Sequence, residues 1–153
     1  MPDIKLTHAF DMQLFVKTPI QNLGKTSHGT RLIAEVTGGE ISGPLLQGRA
    51  QGGGGDWLLT REDGVTQLDV RLTIEAADGG LIYCRYEGLR HGPADVMAKM
   101  AAGEPVDPSL FYFRVQPRFE TSAEPHLWMN RHLFIATGER NKQGPKYSVF
   151  KVE

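Results

Sequence analysis

A chain of 153 residues lies in the size range of one domain and is long enough to bury a core without covalent staples. Its 17 lysines and arginines nearly balance 18 acids, so no electrostatic footprint argues for nucleic acid or an anionic membrane as partner. The single cysteine, Cys84, can close no internal disulfide, and neither a Cys-x-x-Cys nor a His-x-x-x-His spacing occurs, which argues against a disulfide scaffold and a structural zinc site. The opening "MPDIKLTHAF" lacks the apolar centre of a signal peptide, and no apolar run approaches the roughly 18 residues that span a bilayer. The expectation is a single domain over 1–153 in a reducing, cytoplasmic setting.

Strand signals run through the chain. "HAFDMQLFV" (His8 to Val16), "TRLIAEVTG" (Thr30 to Gly38), "DWLLTRE" (Asp56 to Glu62), "VTQLDVRLTIEA" (Val65 to Ala76) and "LIYCRYEG" (Leu81 to Gly88) alternate or are rich in β-formers, with Gly, Asp and Pro between them. "LFYFRVQPRFE" (Leu110 to Glu120), "HLWMNRHLFIATGE" (His126 to Glu139) and the closing "KYSVFKV" read the same way. Only "PADVMAKMAAGEP" predicts a helix, with Pro93 near its first turn, Val96, Met97 and Met100 at helical spacing, and Gly103 past its end. With about eight or nine strands and no βαβ rhythm, the class is all-β, an antiparallel barrel or sandwich with one short helix.

Glycines concentrate between Gly38 and Gly55. Gly38-Gly39 reads as a hairpin turn and Gly43-Pro44 as the start of the next run. Four consecutive glycines, Gly52 to Gly55, permit a wide corner, a β-bulge or close backbone approach to a ligand, and the expectation is a mobile loop at a barrel mouth. No Gly-Lys-Ser/Thr follows and the next segment is a strand, which argues against a phosphate cradle.

The hairpin Val65 to Gly88 decides which side chains share a face. Asp69, Arg71, Thr73 and Glu75 alternate with Leu68, Val70, Leu72 and Ile74. A three-residue turn at Asp78-Gly79-Gly80 puts Ile82, Cys84 and Tyr86 on the aliphatic side and lets Arg71 face Glu87 among solvated charges. A two-residue turn flips the parity and sets Asp69, Arg71 and Thr73 beside Ile82, Cys84 and Tyr86. Pattern alone favours the first, since amphipathic strands turn charges outward.

The succession "TRLIAEVTGGEISGPLLQGRAQGGGGDWLLTREDG", "LDVRLTIEAADGGLIYCRYEGLR", "YFRVQPRFET" and "LWMN" resembles the DUF3237 family, also called UPF0311, from about Gly24 to Val152. The resemblance implies a small calycin-like (lipocalin-like) β-barrel; most such proteins have no assigned activity, and some fungal relatives are linked to cofactor-independent ring closure in aromatic natural products. It carries over the turn Gly38 to Pro44, the Gly-x-Asp-Trp of Gly54 to Trp57, the Asp-x-Arg of Asp69 and Arg71, Phe119 to Thr121, and Trp128 with Asn130. His126 and Met129 stand where the family has an aromatic and a leucine. Recurring polar residues imply an interior cluster, which favours the mixed register of the hairpin.

On that reading Asp69, Arg71, Trp128 and Asn130 converge in a barrel-lined cavity beneath the glycine loop. The catalytic candidates are Asp56, Asp69, Arg71 and Glu120: Asp56 or Glu120 moves a proton, while Arg71 and Asn130 stabilise an oxyanion. Trp57, Tyr86, Trp128 and Asn130 are the ligand-binding candidates. Each has a plainer alternative: Asp56 as a turn acid, Asp69 with Arg71 as a structural ion pair, Glu120 as a rim charge, the tryptophans as packing, Cys84 as a small buried hydrophobe. The five histidines are scattered and no serine sits in a nucleophile elbow, so neither a metal nor a cofactor is called for. Two functions stand open. One is a cofactor-independent enzyme cyclising or isomerising a small aromatic or conjugated metabolite by acid/base chemistry; the other is a non-catalytic binder of a small apolar ligand. A homodimer that covers Arg85 and Glu87 on the outer face is a further reading.

Overall fold

A computed structural model describes residues 1–153. The strands are β1 (Leu6–Val16), β2 (Gln21–Thr26), β3 (Gly29–Ser42), β4 (Gly48–Ala50), β5 (Gly54–Thr60), β6 (Thr66–Ala76), β7 (Leu81–His91), β8 (Tyr112–Glu120), β9 (Phe134–Asn141) and β10 (Gly144–Val152). All neighbours pair antiparallel, in the order β1-β10-β9-β8-β7-β6-β4-β3-β2, and β1 also pairs with β3, so the sheet closes on itself. β4 and β5 occupy one stave between β3 and β6, and β2 lies outside the closed ring. An eight-staved calycin-like barrel results, with the expected helix as α1 (Ala94–Ala101), which Pro93 precedes and Gly103 follows at φ +77°.

The glycine run belongs to the wall of this barrel, where a loop at the mouth was expected. Between Ala50, which pairs with Gly39 and Ile74, and Gly55, which pairs with Glu35 and Arg71, the chain bulges and then resumes the same stave. A Cβ on Gly54 would sit 2.5 Å from the Arg71 carbonyl oxygen, so the stave lies this close to β6 only because the position lacks a side chain. Gly38-Gly39 likewise makes no turn. β3 runs straight through it, and a Cβ on Gly39 would meet the Gln13 carbonyl oxygen at 2.5 Å.

The β6–β7 hairpin takes the plain parity, correcting the mixed register. Its loop is Ala77-Asp78-Gly79, closed by Gly79 N–H to Ala76 O and Ala76 N–H to Gly80 O, both 2.8 Å, with Gly79 at φ +89°. A three-residue hairpin needs a left-handed residue last, and glycine supplies it without strain. Leu68, Val70, Leu72 and Ile74 therefore face inward with Ile82, Cys84 and Tyr86. The pairing is offset by two residues from the one expected for a turn at Asp78 to Gly80: Arg71 lies opposite Arg85, not Glu87, and Asp69 opposite Glu87.

Inside, 29 apolar residues form one buried cluster, so the barrel is mostly filled. Its floor, at the Ala76–Leu81 end, is aromatic: Phe119 stacks edge-on with Phe10 and Phe134, with ring centroids 5.8 and 4.8 Å apart. A 3-10 helical segment, Glu124–Arg131, packs Met129 into the same cluster. "HLWMN" was expected to be a strand, but Pro125 and the run of 3-10 turns keep it out of the sheet, and β9 starts only at Phe134.

Candidate functional site

At the opposite end, where Thr66 pairs with Arg90, the inward-facing positions change character. Strand alternation puts Asp56 of β5, Tyr86 and Arg90 of β7, Arg140 of β9 and Tyr147 of β10 on the inner face. Asp56, Tyr86, Arg90 and Arg140 share a narrow cavity with Leu14, Val36, Leu58 and, at its rim, Val16, Ile20 and Pro145. The free room inside is about 20 Å³, enough for one water.

Asp56 is 9% exposed. Its Oδ1 accepts the Asp69 backbone N–H at 3.0 Å, in place of a ladder bond between β5 and β6, while its other oxygen has no protein partner. Burial pushes the carboxyl up to about 6, against the amide bond and the positive charge of Arg90, which act in the other direction. Such a group exchanges its proton near neutrality, as an acid/base residue requires. Behind it Tyr86 donates to the Tyr147 hydroxyl at 2.9 Å, the rings meeting edge-on at 5.1 Å, and burial lifts both phenols above their ordinary range. Arg90 lies 5.4 Å above the Phe113 ring. Burial lowers the pKa of both arginines, and neither is hydrogen-bonded or ion-paired to the protein.

Of the eight residues singled out from the sequence, only Asp56 and Tyr86 reach this cavity. Asp69, Arg71, Trp128 and Asn130 do not converge: the first two lie on the outer face of β6, and the last two on the 3-10 segment at the floor end. Arg71 is exposed and makes no pair with Asp69, because its cross-strand neighbours are Gly55 and Arg85. Asn130 clamps the end of β8, accepting from Thr121 N–H and donating to Thr121 O, each at 2.8 Å. Trp128 packs on Phe134 with centroids 5.9 Å apart. Glu120 is exposed opposite Tyr83. Trp57, 41% exposed, joins Asp69, Glu87, Tyr112 and Arg114 along an open outer groove of about 500 Å³. There Asp69 Oδ1 is buried without a hydrogen-bond partner. The groove is the larger hollow, but the desolvated ionisable groups are those of the inner cavity, so the chemistry is better served there. Cys84, wholly buried with its thiol pushed up to about 12, is an inert part of the core.

Arg90, Arg140 and Tyr147 escaped the sequence reading. The predicted strands stopped at Gly88 and Glu139, two residues and one residue short of the arginines. Continuing the alternation Ile82-Cys84-Tyr86-Gly88 and Phe134-Ala136-Gly138 leads to both.

Fold and site together define a closed antiparallel β-barrel, filled at one end and opening at the other on a buried carboxylate and two arginines. The family described as "Protein of unknown function (DUF3237)" matches residues 4–152, and the chain belongs to it. It is similar to a UPF0311 protein of Rhodopseudomonas palustris, 35% identical over 133 residues covering 87% of each chain. The crystal structure of a conserved protein of unknown function from Rhodopseudomonas palustris superposes with a TM-score of 0.94 at 29% identity over the whole of both chains. That of an enzyme from Penicillium herquei gives 0.72 at 20% identity, covering 99% of this chain and 95% of that one, a likeness of fold alone.

Proposed function

We propose that the protein binds a small aromatic or conjugated metabolite at the open end of the barrel and catalyses a cofactor-independent cyclisation or isomerisation, with Asp56 as the acid/base group. The carrying observation is a buried carboxyl held near 6, anchored by one oxygen and open to the cavity through the other. In such a step Asp56 takes a proton from a phenol or an activated carbon and returns it to the electron-rich carbon that bond formation or double-bond migration creates. The positive charge of Arg90 and Arg140 favours the oxyanion formed between the two transfers. Guests larger than one water need the rim side chains Val16 and Ile20 to swing aside past the fixed ring of Pro145. The Penicillium herquei enzyme is an example of this fold in a protein described as an enzyme.

Incubation with a panel of phenols and enones, read by mass spectrometry and NMR, is expected to yield an isomeric product that Asp56→Asn fails to make while remaining folded. Glu120→Gln is expected to turn over normally. Equal turnover by the Asp56 variant would remove the acid/base role. Saturable binding without turnover would leave a carrier, the alternative that the same cavity supports.

A further inference from the structure

The charge count at the open end does not balance. Two part-buried guanidiniums, each with about five N–H donors, line a cavity that offers no acceptor paired to either. The groups facing them are Asp56 from β5, Tyr86 from β7 and Tyr147 from β10. The phenols are neutral, so even a fully ionised Asp56 leaves one positive charge unmatched. Asp69 offers no help, since its carboxylate lines the outer groove. The guanidinium nitrogens keep some contact with solvent, but partly desolvating a cation with no charged partner is unfavourable. Three surface arginines find carboxylates: Arg49 bonds Glu75 at 2.8 Å, Arg61 meets Asp63, and Arg85 reaches Glu87 at 3.3 Å, while the unpaired Arg71 and Arg118 stand exposed to water. The unmatched pair sits where a guest would enter.

We propose that the guest is an organic monoanion, a small carboxylic acid with an aromatic or conjugated body, whose carboxylate lies between Arg90 and Arg140. The inference rests on the binding reading above and narrows its substrate class. Planar guanidinium forks match the two oxygens of a carboxylate, which a neutral metabolite lacks. The body of the acid extends past Val16, Ile20 and Pro145 toward solvent, and its reactive atoms lie on the Asp56 side.

Benzoate and benzamide, alike in shape and unlike in charge, test this by thermal shift and by amide NMR shifts of Asp56, Tyr86 and Arg90. Benzoate is expected to bind at least about tenfold more tightly than benzamide. Arg90→Gln and Arg140→Gln should each weaken benzoate at least about tenfold, with partial recovery in Arg140→Lys, which keeps the charge and loses the fork. Arg118→Gln, on the outer face, should leave the affinity unchanged. Asp56→Asn should tighten benzoate several-fold at neutral pH, since a like charge leaves the site. Equal binding of the two probes would overturn the anion inference and leave barrel binding intact. No response to benzoate up to about 0.1 M would overturn it as well; an uncharged ring such as indole shifting the same amides would then show that the barrel still binds.

Discussion

Replacing Asp56 by asparagine should make the protein more stable, and the gain should depend on pH in a defined way. The folded carboxyl keeps its proton up to about pH 6, whereas an unfolded aspartate releases it near 3.8. Between those values the folded chain binds more protons than the unfolded one, so this group's contribution is complete at low pH and is lost as pH rises through 6. At 1.36 kcal/mol per pH unit, the wild type gives up about 3 kcal/mol that the variant keeps, an upper value for a group this buried. Asparagine can still accept the Asp69 N–H. Urea denaturation of both proteins from about pH 4 to 8 measures the difference, which should be small at the acid end, grow through pH 5 to 6 and level off above. The surface carboxylates Asp63 and Glu75, lowered by bonds from Arg61 and Arg49, cancel in the subtraction. In thermal scans the full gain corresponds to about 6–12 °C for a domain of this size. Two parallel stability curves would refute the reasoning, because they would mean that Asp56 does not change protonation within that window in the folded state.

Arg140→Met should raise the stability of the ligand-free protein by about 1–3 kcal/mol, because a desolvated, unpaired charge is exchanged for an apolar chain; an unchanged or lower denaturation midpoint would mean that the guanidinium is solvated. On the outer surface, Arg71, Arg85 and Arg118 lie directly opposite one another across β6, β7 and β8. Arg118→Thr, which removes a like charge opposite Arg85 and breaks no ion pair, is expected to stabilise by about 0.2–1 kcal/mol at low ionic strength and by less in high salt, as melting temperatures with and without added salt will show. Tyr86→Phe strands the buried Tyr147 hydroxyl and should cost about 1–2 kcal/mol in chemical denaturation with an unchanged slope. Gly54→Ala forces a methyl group against the Arg71 carbonyl and should cost at least about 1–3 kcal/mol by the same measurement.

Much of the fold was legible in local pattern. Alternation located the strands, Pro93 and Gly103 bracketed the one helix, and the family resemblance supplied closure into a barrel. The departures come from tertiary constraints that local pattern carries weakly. Gly38-Gly39 and Gly52 to Gly55 carry turn signals, yet at Gly39, Gly52 and Gly54 a Cβ would come within 2.5 to 2.8 Å of backbone oxygens on strands distant in sequence. "LWMN" alternates like a strand, but its asparagine is used to hold Thr121 and its tryptophan to pack on Phe134. For the site, recurrence of polar residues within motifs was taken for convergence in space. Asp69 and Arg71 are polar because they face out, while the residues that line the cavity fall at strand ends, where propensity fades and boundaries were drawn short. Asp56 was found through the Gly-x-Asp-Trp motif of the family resemblance, which marks it beside the glycine run. Arg90 and Arg140 belong to no such motif; they continue the inward alternation of β7 and β9 one or two residues past the expected strand ends.

The aromatic floor of Phe10, Phe119 and Phe134 leaves the barrel with a single door. Whatever is admitted past Ile20 and Pro145 must depart by the way it came, so an incoming molecule waits for its predecessor to leave. A catalyst of this shape is therefore inhibited by its own product in strict competition with substrate, and a carrier of this shape exchanges cargo no faster than its threshold side chains yield.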